Sequence, residues 1–193
     1  MQRLLILVLL SVSHNAFAEG PWSFGVAVGA ESHDTSHKIQ SGTVNLQFNP
    51  AESGNSIAAS LGYRLHKNWF TTIEYSYFDV DEVDVNNFYA TLNYIHPFPD
   101  SAYSGYIGVL AGQSELNWQN DPITAADRQS KSEDDFWGAQ VGLLMDLNEN
   151  WRLNLSYRYI ETSHGTTLKP LTGSSEFLHE QFHNVSLGIE IQF

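Results

Sequence analysis

Eight histidines, several of them close to serines and carboxylates, are the first residues of this chain in which chemistry can be sought. His33, His37, His164 and His179 fall in polar stretches, with His183 close by and Glu31 and Asp34 beside the first of them. Imidazoles with carboxylates make a zinc ligand set. His33 and His37 stand four apart, but their segment has no helical periodicity, so the spacing gathers nothing onto one face. The expectation is separate surface histidines and no metal site. Acyl chemistry needs a hydroxyl nucleophile beside a histidine that a carboxylate orients. His183 and Ser186 are three apart, which on a strand sends them to opposite faces. Ser32, His33, Asp34 and Ser36 supply the residue types, though in a polar run where such types are common. No catalytic residue and no cofactor are assigned.

A second set of reactive groups is ionic. Arg64, Glu74, Arg152, Arg158 and Glu190 interrupt runs of glycine, serine and alanine, with Gln140 and Asn154 nearby. Mixed charges among small residues fit a hydrogen-bonded interior in which each charge has a partner, because an unpaired buried charge costs several kcal/mol. Glu74 and Arg158 are expected near mid-height of that interior, and Arg64, Arg152 and Glu190 lower. A packed structural plug is the first reading; a gate on a narrow ion pathway is the alternative.

The elements that must position these groups announce themselves by period two. From the end of the chain, Phe193, Ile191, Ile189, Leu187 and Val185 share one face, and Gln192, Glu190, Gly188, Ser186 and Asn184 the other. Seven earlier stretches alternate in the same way, starting near Trp22, Ile57, Trp69, Phe88, Tyr103, Trp137 and Trp151. β-Branched and aromatic content supports strands. Each stretch is roughly ten residues, the length a tilted strand needs to cross hydrocarbon. Connections near His66–Asn68, His96–Ser101 and Asn148–Asn150 are short. Those near Glu31–Asn55, Val80–Asn86, Asn117–Asp134 and Thr162–Glu180 are longer or more charged. Thr43–Phe48 has some strand character, as an extension or hairpin inside the first long connection. The predicted fold is all-β: an eight-stranded antiparallel up-and-down transmembrane β-barrel.

Alternation alone fits a soluble barrel with an apolar interior as well. The aromatic residues decide. Trp22, Tyr63, Trp69, Tyr94, Tyr103, Trp151 and Phe193 fall at the short-turn end of the apolar face, and Tyr77, Phe88, Trp137 and Tyr159 toward the other. Two belts at matched heights are expected where rings sit at two lipid–water interfaces. The other face is rich in small residues, as the inside of a narrow barrel requires. No stretch after Ala18 has the ~18 consecutive apolar residues of a spanning helix, and only helices and closed barrels satisfy their backbone in lipid.

The chain has 193 residues, enough for one domain, and 9 Lys+Arg against 22 Asp+Glu, which argues against a nucleic-acid partner. It has no cysteine, so neither a disulfide framework nor a thiolate site. Residues 1–18 have the form of a cleaved signal peptide: Arg3, an apolar core from Leu4 to Val12, and Ala16-Phe17-Ala18 as an A-x-A site. The expected domains are therefore 1–18, removed on export, and 19–193, the barrel.

Ser186-Leu187-Gly188-Ile189-Glu190-Ile191-Gln192-Phe193 resembles the C-terminal β-signal of proteins folded by the outer-membrane assembly machinery. Ser186, Gly188, Ile191 and Phe193 occupy its positions. From Pro21 to Phe193 the chain resembles the small OmpA-type family of eight-stranded outer-membrane barrels. Tyr63-Arg64-Leu65-His66-Lys67-Asn68-Trp69 and Leu147-Asn148-Glu149-Asn150-Trp151 are similar to that family's tight periplasmic turns followed by Trp. The resemblance implies a place in the outer membrane of a Gram-negative cell, with membrane lipids, lipopolysaccharide and the assembly machinery as partners. Acidic loops such as Asp79–Asp84 and Glu133–Asp135 could share divalent cations with lipopolysaccharide phosphates; simple solvation is the plainer reading. The expected role is non-catalytic, structural support or surface interaction. A lipid A-modifying enzyme and a narrow ion channel are the alternatives. His183-Asn184-Val185-Ser186 departs from the lipid A deacylase pattern. Oligomeric state is not legible; a monomer is the default.

Overall fold

The computed structural model describes residues 20–41, 44–48, 51–80, 83–118, 131–168 and 174–193. The signal-like segment and 119–130 lie outside the described residues. Among the described residues nine strands follow one another: β1 (Trp22–Ser41), β2 (Val44–Phe48), β3 (Ala51–His66), β4 (Trp69–Val80), β5 (Val83–Pro97), β6 (Tyr103–Trp118), β7 (Lys131–Asp146), β8 (Trp151–Leu168) and β9 (Ser174–Gln192). All except β2 form one closed antiparallel barrel of eight strands in chain order, sealed by β1 against β9. β2 pairs only with the outer part of β1, His37–Ser41, so the strand character of the first long connection is a local hairpin.

The seal runs from Ser23 opposite Gln192 to Gln40 opposite Ser174, with one irregularity between Asp34 and Thr35. At the short-turn end the chain termini tie together: the Phe193 amide donates to the Trp22 carbonyl (2.9 Å), and the Trp22 amide to the Phe193 carbonyl (3.2 Å). Closure leaves no free sheet edge in the wall, which is what a sheet in hydrocarbon requires. The short connections carry fitting turn chemistry. Asn148 Oδ1 accepts from the amides of Asn150 (2.9 Å) and Trp151 (3.0 Å). Asp100, in the β5–β6 turn, has a positive φ of 54°, which Asp tolerates better than most residues.

The faces sort as alternation predicts. Val28 is 63% exposed, Ile107 64% and Trp137 60%, while Phe78 is fully enclosed. At the short-turn end Trp22 packs edge-on against Tyr63 (4.7 Å) and Trp69 against Tyr94 (5.3 Å), each pair directly opposite across a strand pair. At the other end Tyr75 stands opposite Phe88 and Trp137 opposite Ala111, all facing out. An apolar exterior banded by rings places the hydrocarbon outside the cylinder.

Two expectations need correction. The strands run 12 to 20 residues in the wall, not about ten. Glu31–Ser41, Ala51–Asn55, Val83–Asn86 and Ser174–Glu180, read as connections, continue strands. Beyond the lipid both faces of a strand meet water or polar neighbours, so hydrogen bonding continues after the apolar alternation has stopped. The interior is also not filled by small and ionic groups alone. Phe78, Val85, Leu110, Leu116, Phe136, Ile160 and Phe182 are buried inside it, with Tyr89 among them.

Candidate functional site: the occluded lumen

Alternate residues of every strand point into the cylinder, and near mid-height they join across it. Arg158 on β8 grips Glu74 on β4 with two parallel bonds, Nη1 to Oε1 (2.5 Å) and Nη2 to Oε2 (3.0 Å). That is the bidentate form in which guanidinium and carboxylate interact most strongly. The Tyr89 hydroxyl donates to the same carboxylate and accepts from Arg158 Nη1 (2.7 Å); the guanidinium carbon lies 5.6 Å from the Tyr89 ring centre. Arg158 Nε donates to Gln140 Oε1 (3.0 Å), and Gln140 Nε2 to Asn93 Oδ1 (2.5 Å). Asn93 then donates to Thr91 Oγ1 (2.6 Å), which meets Thr72 Oγ1 (2.7 Å). Side chains of β4, β5, β7 and β8 thus form one crossbar. The wall between Asn93 and Gln140 is thin where it must be: Gly108 on β6 stands between them, and a Cβ there would collide with Asn93 Oδ1.

Toward the short-turn end a second group gathers. The Tyr106 hydroxyl donates to Asn154 Oδ1 (3.0 Å), and Asn154 Nδ2 to Glu190 Oε1 (2.8 Å). Tyr106 lies over Gly142, where a Cβ would come within 2.4 Å of its ring. At the mouth Arg152 pairs with Asp146 (2.6 Å) and Arg64 donates to Gln192 Oε1 (3.3 Å). The six sequence-selected residues therefore divide. Glu74, Gln140 and Arg158 meet in the crossbar; Glu190 lies below it, and Arg64 and Arg152 line the mouth.

Above the crossbar the sequence reading missed a third layer. Glu31 accepts from Asn184 Nδ2 (3.0 Å) and bonds His33 Nε2 (3.1 Å). The His33 ring is stacked between Phe78 (centroids 4.3 Å) and Phe182 (3.9 Å) and has no exposed surface. His33 is thus an interior residue and not the surface histidine expected, because the inward parity of β1 carries past Glu31. His37, His164 and His179 have side chains outside the described set. Among the described residues, no three His, Cys, Asp or Glu side chains converge as a metal set.

The cavities on either side of Arg158 are of single-water size: about 20 Å³ between Arg158 and Glu190, and about 10 Å³ between Arg158 and Glu31. Charged groups and aromatic rings interrupt the lumen at three levels, so it is a packed interior.

The residues considered for acyl chemistry separate. His183 faces outward and shares a hydrogen bond between Nδ1 and the Tyr157 hydroxyl (2.8 Å), whereas Ser186 is buried inside against Ser156 (2.6 Å). His33 points in, and the Asp34 carboxylate lies outside, 4.0 Å from His183 Nε2. Of the terminal motif, Gly188 stands in the wall opposite Ala27, Ile191 stands opposite Phe24 and Trp151, and Phe193 ties to Trp22.

Solved structures that share this architecture include the following three. Neisserial surface protein A aligns with TM-score 0.56 and 17% identity, over 87% of this chain and 97% of its own. OprG of Pseudomonas aeruginosa aligns with TM-score 0.59 and 13% identity, over 93% of this chain and 100% of its own. AlkL, solved in lipid bilayers, aligns with TM-score 0.59 and 15% identity, over 93% and 94%. Such low identities establish the fold alone. No curated protein matches the sequence. The sequence pattern of the outer membrane protein beta-barrel domain matches residues 4–193, and the chain belongs to that family.

Proposed function

We propose that the protein is a closed, non-catalytic outer-membrane barrel that supports the membrane and displays its long strand ends for surface interaction. The observation that carries this reading is the occluded lumen. Arg158, Glu74, Tyr89 and Gln140 cross it at mid-height, and His33, Phe78 and Phe182 fill it above. An eight-stranded cylinder has an interior filled by side chains, and this one follows the rule. Strands such as β1, β8 and β9 run 18 to 20 residues, well beyond the roughly ten that hydrocarbon needs, and so carry a polar rim outside the lipid. Residues 1–18 act as the export signal, and Ser186, Gly188, Ile191 and Phe193 present the terminal strand to the assembly machinery. Outer-leaflet lipids and lipopolysaccharide are the nearest partners.

A narrow ion channel is the second reading. It is favoured by the small cavities on both sides of Arg158, which a swing of that side chain would join. Planar-bilayer recording separates the two. The closed-barrel reading expects no conductance from the wild type. Steady wild-type conductance that changes on Glu74→Gln would overturn it in favour of the channel. Incubation with labelled lipid A tests catalysis: altered acyl content would refute the non-catalytic role.

A further inference from the structure

The cavity of about 10 Å³ between the crossbar and the His33 layer is walled largely by oxygen-bearing side chains. Glu31, Ser56, Ser76, Asn87 and Asn184 line it, with Arg158 on the crossbar side. They come from five consecutive strands of the wall, β9, β1, β3, β4 and β5. Asn184 spends its amide nitrogen on Glu31 Oε2 (3.0 Å) and Ser56 Oγ (2.8 Å), and Asn87 donates to Ser76 Oγ (3.3 Å). Glu31 fixes the orientation of Asn184, because a turned amide would set its oxygen against the carboxylate.

Two things are left over. The amide oxygens of Asn87 and Asn184 have no partner, although the residues are only 2% and 5% exposed. Buried acceptors are otherwise almost always paired. The enclosed charge is the second. Arg158 and Glu74 cancel in their bidentate pair, whereas Glu31 is buried with His33 Nε2 on one oxygen (3.1 Å) and a neutral amide on the other. Protonating His33 answers the charge and leaves both amide oxygens as they are. A water answers the oxygens and leaves the charge. A small cation answers both.

We infer that this cavity is a binding site for one dehydrated monovalent cation of sodium size, held by Asn87 Oδ1, Asn184 Oδ1 and the Glu31 carboxylate, with the Ser56 and Ser76 hydroxyls completing the shell. The inference rests on the closed-barrel reading, since an occluded lumen is what keeps the ion from bulk water. The donor set selects the ion. Oxygen ligands without nitrogen or sulfur suit a hard cation. One carboxylate among neutral oxygens matches a single charge; calcium takes about six to eight oxygens and its sites draw on several carboxylates. The space admits about one water, which sodium resembles in size and caesium exceeds. Bound there, the ion joins β9 to β5 across the upper lumen, as Arg158 joins β8 to β4 below.

The test refolds the full mature chain in detergent in sodium, caesium or choline chloride at equal ionic strength, with heat-shifted gel migration confirming a folded barrel. Elemental analysis after desalting into choline chloride should find stoichiometric sodium. In urea unfolding, each tenfold rise in sodium above saturation should raise the folding equilibrium constant about tenfold, the dependence of one ion bound by the folded state alone. Caesium and choline should give no such rise. Glu31→Gln keeps the volume and removes the charge, so retention and sodium dependence should both be lost. Glu31→Gln/Asn87→Asp returns one carboxylate to the cavity and should restore them, which a purely structural role for Glu31 does not predict. If Glu31→Gln does not refold, Asn87→Leu, which removes a ligand oxygen, should show the same loss. Equal midpoints in the three salts with no sodium retained, a midpoint that follows pH and not sodium, or sodium retained undiminished by Glu31→Gln or Asn87→Leu would each overturn the inference. Bilayer recording reads the closed lumen separately: a closed barrel without the ion neither conducts nor retains sodium, whereas an open one conducts.

Discussion

Replacing Arg158 with methionine removes both bonds to Glu74 and leaves that carboxylate inside the barrel with the Tyr89 hydroxyl as its remaining partner there. Both side chains are less than a tenth exposed, so water does not screen the loss. Each hydrogen bond to a charged group contributes about 1.5–3 kcal/mol, and breaking one side of a buried pair costs about 3–5 kcal/mol. Arg158→Met is therefore expected to destabilise the barrel by about 3–5 kcal/mol. Urea unfolding in detergent, followed by tryptophan emission and by gel migration without boiling, should show a midpoint more than about 1 M lower. A double-mutant cycle with Glu74→Gln isolates the pair: the two losses should fall short of additive by at least about 1 kcal/mol. The mouth pair provides the contrast. Asp146 is 44% exposed, so Arg152→Ala should cost less than about 1 kcal/mol despite its 2.6 Å contact. If Arg158→Met cost no more than Arg152→Ala, or the cycle were additive, the crossbar would not be holding the barrel as argued.

Ile189→Arg places a cation on the lipid-facing wall of β9 and is expected to cost about 2–4 kcal/mol, measured as refolding yield into vesicles; a neutral effect would contradict the assignment of faces. Gly142→Val drives a branched side chain into the Tyr106 ring and should destabilise by about 1–3 kcal/mol in the same urea assay. Deleting Phe193 removes the tie to Trp22 at the seam, so insertion in cells should fall while export continues, as fractionation would show. The native protein should migrate differently on gels before and after boiling; identical migration would count against a stable barrel.

The sequence by itself determined the cylinder. Strict alternation, rings at two heights and a closing aromatic strand follow from one constraint, that lipid accepts only apolar side chains and no unpaired backbone, and that constraint is written residue by residue. It reached as far as the parity of Glu74 and Arg158. It fails where the constraint lapses: past the lipid nothing demands an apolar outer face, so the ends of β1, β5 and β9 have the composition of loops, and His33 reads as a surface residue. Which inward groups meet was a matter for tertiary structure. Residues 74 and 158 are joined because shear and closure bring β4 and β8 to face each other across the lumen, a distance along the chain that no local pattern encodes. The same closure sets His33 between Phe78 and Phe182 and lines up Asp34 with His183 on the outside, because β1 meets β9 only when the barrel seals.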